Sequence, residues 1–81
     1  MERVQDLPED ETWITERQAT LGSRIQAERL RQNLTQEAVF LAAGIDRGTL
    51  QAIEAGRGNP TYVTLLKIAY VFDIPLADLV D

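Results

Sequence analysis

Residues Thr35 to Gly56, TQEAVFLAAGIDRGTLQAIEAG, constrain the fold of this chain more than any other stretch. Ala38, Val39, Ala42 and Ala43 recur at helical spacing in the first half, and Leu50 and Ile53 do so in the second. Gly44 lies between them, where a helix end calls for left-handed backbone that glycine adopts without steric cost. Ile45 follows as an apolar plug. Asp46 is then placed to cap the second helix, since its carboxylate can accept an N–H that the first turn leaves without a partner. The spacing predicts two short helices, Thr35–Ala43 and Asp46–Ala55, with Gly56 stopping the second.

Helix, glycine turn, apolar residue, capped helix is the outline of a helix-turn-helix. The flanking sequence supplies three more helices. Thr15-Glu16-Arg17-Gln18 reads as a capping box, Thr15 as N-cap and Gln18 at the third position, with Ile14 stapled onto Ala19. A first helix is expected from about Glu16 to Gln32, ended by Asn33. Its inner face carries Ile14, Leu21, Ile25 and the stem of Arg29, with Leu30 and Leu34 on the flank. Arg57-Gly58-Asn59-Pro60 is a loop rich in breakers. Thr61 caps a fourth helix, Tyr62–Phe72, with Leu65, Leu66, Ile68, Ala69 and Phe72 apolar. Asp73-Ile74-Pro75 links it to a last helix carrying Leu76, Leu79 and Val80, Pro75 being suited to its first turn. No run alternates apolar and polar residues as a strand does, so the fold class is all-α with five helices. Residues 15–81 are read as one domain, preceded by an acidic extension over residues 1–14.

Composition removes whole classes of chemistry. Without cysteine there is no disulfide and no thiolate metal site; without histidine the commonest general base and metal ligand is gone. Ser23 is the one serine and has no visible base, and the acids Glu9, Asp10 and Glu11 lie on a tail that cannot hold catalytic geometry. No enzyme, metal, cofactor or small-molecule ligand is expected. The longest apolar run is too short to span a bilayer, and Met1–Glu11 has no apolar signal-peptide core. An intracellular soluble protein is therefore expected.

The net charge is −5, but it is unevenly spread. Residues 1–19 carry six acids against Arg3 and Arg17, a net of −4; residues 20–81 are near neutral at −1. The extension reads as a solvated arm, or as one that packs on a partner subunit through Leu7 and Trp13.

From Leu21 onward the chain resembles the lambda-repressor-like (Xre) helix-turn-helix family. The matching pieces are LGSRI at Leu21–Ile25, TQE at Thr35–Glu37, AGI at Ala43–Ile45, L-x-x-IE-x-G at Leu50–Gly56, NPT at Asn59–Thr61, LLKIA at Leu65–Ala69 and IP-x-x-x-L from Ile74 to Leu79. The resemblance implies a five-helix domain that binds double-stranded operator DNA as a homodimer and regulates transcription, and with it a cytoplasmic, nucleoid-associated protein of a bacterium or phage. In that family the helix starting near Asp46 enters the major groove N-terminus first. The resemblance then makes Arg47, Thr49 and Gln51 the base-reading residues, Arg47 foremost because a guanidinium pairs bidentately with guanine. It puts Gln36, Arg57, Asn59 and Thr61 on phosphates, and it pairs Arg29 with Glu54 as a structural salt bridge. Tyr70, Val71, Ile74, Leu76 and Val80 are the candidates for the dimer surface.

This chain departs from the family at several places. Phe40 stands where alanine is common, at the crossing of the two motif helices, so either the crossing opens or the ring escapes to its edge. Leu41 replaces a usual polar residue, Glu28 a usual apolar one and Asn33 a usual glycine. The competing reading is a protein-interaction or antitoxin-like module with weak DNA binding on the same fold, favoured by the negative charge, by Gly48 and Ala52 at reading positions and by Leu41.

Overall fold

The computed structural model describes residues 2–81. All regular structure among them is helical: α1 (Thr12–Arg31), α2 (Gln36–Ala43), α3 (Arg47–Glu54), α4 (Tyr62–Phe72) and α5 (Ala77–Val80). The all-α, five-helix architecture expected from the sequence is the one observed. α1 packs on α3 and α5, and α2 packs on α3 and α4.

Each helix contributes to one core. Ile25, Val39, Leu50, Ile68 and Leu79 are essentially inaccessible, and Phe40, Ile53, Ala69 and Phe72 join them. That core is what makes the short helices possible. An isolated helix of eight residues is not stable in water, and both α2 and α3 have eight. Burying one large apolar side chain contributes about 1.5–3 kcal/mol, so the pair that each buries, Val39 and Phe40 in α2 and Leu50 and Ile53 in α3, offsets a nucleation cost of about 4 kcal/mol.

Local chemistry sets most of the boundaries. Thr35, Asp46 and Thr61 are extended N-caps whose side chains accept the N–H of Ala38, Thr49 and Thr64. The C-termini share one device. A left-handed residue (Asn33, Gly44, Gly56 or Asp73) reverses the chain after each of α1 to α4. The amide beyond it then returns to a carbonyl five residues back: Leu34 to Arg29, Ile45 to Phe40, Arg57 to Ala52 and Ile74 to Ala69. This satisfies carbonyls that the helix end would otherwise leave unpaired.

α1 departs from the sequence reading. It begins at Thr12, three residues before the expected N-cap Thr15, which lies inside the helix. The Asp10 carboxylate accepts the Thr12 N–H at 2.8 Å, and the Glu11 carbonyl accepts from Ile14 at 3.0 Å. Gln18 has no role in a capping box, because its Nε2 donates to the Gly58 carbonyl 40 residues away, at 3.0 Å. A tertiary tie thus takes the group that the local motif needed. Leu30 is exposed, while Leu34 packs against the core. α5 begins just after Pro75 and Leu76 instead of including Pro75.

Candidate nucleic-acid interface

α3 is held from behind. Gly22 of α1 is buried where a Cβ would run into the Ile53 carbonyl oxygen and sit 3.0 Å from that of Glu54. Only a glycine lets α1 come this close. Beside it the buried Arg29 guanidinium donates to both Glu54 carboxylate oxygens, Nε–Oε2 at 2.8 Å and Nη2–Oε1 at 3.0 Å, and Nη1 donates to the Leu34 carbonyl at 2.9 Å. Gln36 Nε2 adds a third donor to Glu54 Oε1, at 3.2 Å. One carboxylate at the end of α3 therefore ties α1 and the start of α2 together. No buried side-chain polar atom among the described residues lacks a partner, so this polar cluster does not carry the desolvation cost of an unpaired group.

The other end of α3 is open. The Asp46 carboxylate is held below its ordinary range by the hydrogen bond from the Thr49 backbone N–H, at 2.7 Å, with the Thr49 hydroxyl assisting. Arg47, Gly48 and Gln51 are exposed and Thr49 is half-buried. The Arg47 guanidinium lies over the Phe40 ring, 5.4 Å from its centroid, and 3.6 Å from the Glu37 carboxylate. Both charged groups are largely in water, so the ion pair is weak. A cation over a ring face contributes about 0.5–1 kcal/mol at such a site. Phe40 has been absorbed by the core at 9% exposure, with Arg47 above the ring, whereas Leu41 is left 67% exposed.

The loop after α3 faces that open end. Asp46, Gly48, Thr49 and Ala52 line one side of a shallow groove, with Gly58, Asn59 and Pro60 on the other. The structure thus brings Thr49 and Asn59 to one groove. Arg57 stands out by comparison with the other helix ends. At the equivalent position after α1, α2 and α4 stand Leu34, Ile45 and Ile74, all packed against the core. After α3 the same backbone turn carries an exposed arginine with no ion-pair partner among the described residues. Thr61 spends its hydroxyl on capping α4, and Gln36 shares its amide with Glu54, leaving one N–H.

The candidate dimer residues divide. Tyr70 is 88% exposed and Val80 about half exposed, but Ile74 and Leu76 pack against the core and Val71 is half-buried. Tyr62, Val63 and Leu66 are exposed as well and share a face of α4 with Tyr70, within an arc of about 100° at helical spacing. That stripe is visible in the sequence, where Leu66 stands only among the apolar residues of the fourth helix and Tyr62 and Val63 have no assigned role. The close approach at Gly22, the bond from Gln18 to Gly58 and the stacking of Arg47 on Phe40 have no local signal in the sequence.

Comparison with known proteins agrees with this geometry. Residues 25–79 match the helix-turn-helix family. An uncharacterised helix-turn-helix-type transcriptional regulator of Sinorhizobium fredii is 35% identical over 60 residues, covering 74% of this chain and 78% of that protein. The cryptic phage CTXphi transcriptional repressor RstR of Vibrio cholerae is 34% identical over 60 residues, 74% of this chain and 54% of the repressor. Among solved structures, the restriction-modification controller protein C.AhdI from Aeromonas hydrophila superimposes with a TM-score of 0.75 at 31% identity, over 76% of this chain and 94% of that one. No helix among the described residues is long and apolar enough to cross a membrane. The chain belongs to the lambda-repressor-like helix-turn-helix family, whose members are DNA-binding transcriptional regulators and not enzymes.

Proposed function

We propose that this protein binds a specific double-stranded DNA operator as a homodimer in the cytoplasm and regulates transcription by occupying it. The observation that carries this reading is the asymmetry of α3: its apolar face and C-terminal end are locked onto α1, and its polar N-terminal end is left in water. A helix held that way can enter the major groove N-terminus first without losing core contacts.

Arg47 is the principal reader, pairing bidentately with guanine O6 and N7. Phe40 and Glu37 hold its guanidinium on the α2 side of the motif, which reduces the rotamer freedom lost on binding. Gln51 reads adenine, and Thr49 contributes its methyl group to a thymine, since its hydroxyl serves Asp46. Arg57 anchors one phosphate strand, with Asn59 and Thr61 beside it. The remaining N–H of Gln36 and the backbone amides at the start of α2 meet the other strand. Tyr70 and Val80 form the exposed centre of the subunit contact, over Val71, Ile74 and Leu76. A near-neutral domain binds weakly as a monomer, so two half-sites about one helical turn apart multiply the affinity.

Selection from random double-stranded DNA at low salt tests this. A two-fold symmetric sequence should be enriched, and affinity for it should fall as salt rises, by about 0.9 in log–log slope per phosphate neutralised. Arg57→Gln should flatten that slope by about 2 for the dimer. Failure to enrich any sequence would remove the reading and leave the protein-interaction alternative.

A further inference from the structure

Between α1, the 58–60 loop and α5 runs a groove of about 660 Å³. Trp13, Leu21, Leu65 and Val80 give it apolar surface, while Arg17 and Arg24 line it with positive charge. Neither arginine has a carboxylate partner among the described residues, where the ion pairs join Arg29 to Glu54, Arg31 to Glu28 and Arg47 to Glu37. One acid, Asp81, also lines the groove.

Residues 2–10 have the opposite character. Glu2, Asp6, Glu9 and Asp10 outnumber Arg3, and the two large apolar side chains, Val4 and Leu7, stand 87% and 78% exposed. Pro8 fixes its own φ and pushes Leu7 toward extended backbone. In an extended segment with three residues per turn, Val4 and Leu7 fall on the same side. An acidic strip with two apolar side chains in line therefore matches a groove with an apolar lining and unpaired arginines.

The arm does not reach its own groove. Asp10 is fixed at the start of α1 by its bond to the Thr12 amide, and the groove opens beside Trp13 and runs from there along α1 to Arg24, away from the arm, whose Val4 and Leu7 stand exposed outside it. Returning to it needs a sharp reversal in a segment that contains proline and no glycine. The span from Val4 to Asp10 covers about 20 Å when extended, enough to reach across to a neighbouring subunit.

We infer that the groove is the docking site for the N-terminal arm of a second copy of this chain, with Val4 and Leu7 on its apolar lining and Asp6 and Glu9 facing Arg17 and Arg24. This rests on the homodimer reading and adds to it an exchange of arms next to Val80, already a candidate for the subunit contact.

The natural absence of cysteine makes the test direct. The double variant Leu7→Cys, Thr20→Cys places one thiol on the arm and one in the groove lining. Mild oxidation followed by peptide mapping should give a linkage between positions 7 and 20 in a species of two chains. Adding Arg17→Glu and Arg24→Glu should lower its yield at least fivefold. A linkage confined to one chain, or only between like positions, would overturn the inference. Sedimentation of the unmodified protein separates the two levels: a monomer at micromolar concentration overturns the homodimer reading and this inference with it, whereas a dimer that yields no such linkage overturns the arm exchange alone.

Discussion

At its C-terminal end α3 is closed over by α1. Gly22 backs onto its last carbonyls, Arg29 grips Glu54 with two donors, and Ile53 is buried beneath. At its N-terminal end the same helix has one capping carboxylate and one stacked guanidinium, both facing water. The two ends are about 12 Å apart at 1.5 Å per residue, yet one is tied by buried polar contacts and the other turns its capped first turn to water. On the proposed reading, the difference is how a small domain presents its base-contacting side chains. Rigidity is supplied from behind, and the surface left free is the one that needs to meet a partner.

If that division is real, substitutions at the two ends should fail in different ways. Glu54→Ala strands the buried Arg29 guanidinium and should cost about 3–5 kcal/mol of stability. Replacing both partners together, as Arg29→Met with Glu54→Leu, should cost clearly less, so a double-mutant cycle by urea unfolding should show strong coupling. Gly22→Ala forces α1 off the end of α3 and should cost about 3 kcal/mol, read by thermal unfolding. At the open end the effects move from stability to binding. Phe40→Leu keeps an apolar core but removes the ring under Arg47, and should weaken operator affinity about threefold, in line with a cation–π contribution of about 0.5–1 kcal/mol. If it leaves affinity unchanged, Arg47 is not positioned by that stack.

The smallest effect is with pH. Hydrogen bonds hold the Asp46 carboxyl low, from Thr49, and the Glu28 carboxyl low, from Arg31 first and then Gln32. Groups with a lowered folded pKa stabilise the fold above their ordinary value, and that contribution is lost as pH falls through the lowered one. With no histidine in the chain, no side chain has an ordinary pKa near neutrality. Stability followed by circular dichroism should therefore be flat between about pH 6 and 8 and decline only below about pH 4.

The parts legible in the sequence are those decided within a few residues. Thr35, Asp46 and Thr61 as caps, and Gly44, Gly56 and Asn33 as left-handed stops, follow from what each residue does to its own backbone. Asp73 makes the same turn after α4 but was read only as part of a link, since neither glycine nor asparagine marked it. The start of α1 differs from the expected one because the local capping signal at Thr15 has no partner: Gln18 donates instead to the Gly58 carbonyl, which lies far away in sequence. Gly22 gives no local sign of its role, because the carbonyl that excludes a side chain there comes from 31 residues further along. Phe40 could be located as a departure, but not resolved. Whether its ring strains the crossing or is covered depends on Arg47, which reaches it from the next helix. In the same way, Arg57 gains meaning only beside Leu34, Ile45 and Ile74, the apolar residues that occupy its place at the other three helix ends.

The central claim is that the open end of α3 reads bases and does so chiefly through Arg47. The most direct test is to compare the wild-type protein and Arg47→Ala on the selected operator and on versions with each guanine replaced in turn. The wild type should lose about 10- to 100-fold in affinity at one guanine of each half-site, the range of a bidentate contact. Arg47→Ala should bind every version with nearly equal, weaker affinity at that position, with stability lowered by no more than the about 1 kcal/mol of its stack on Phe40. Retention of the full wild-type discrimination by Arg47→Ala would contradict the account.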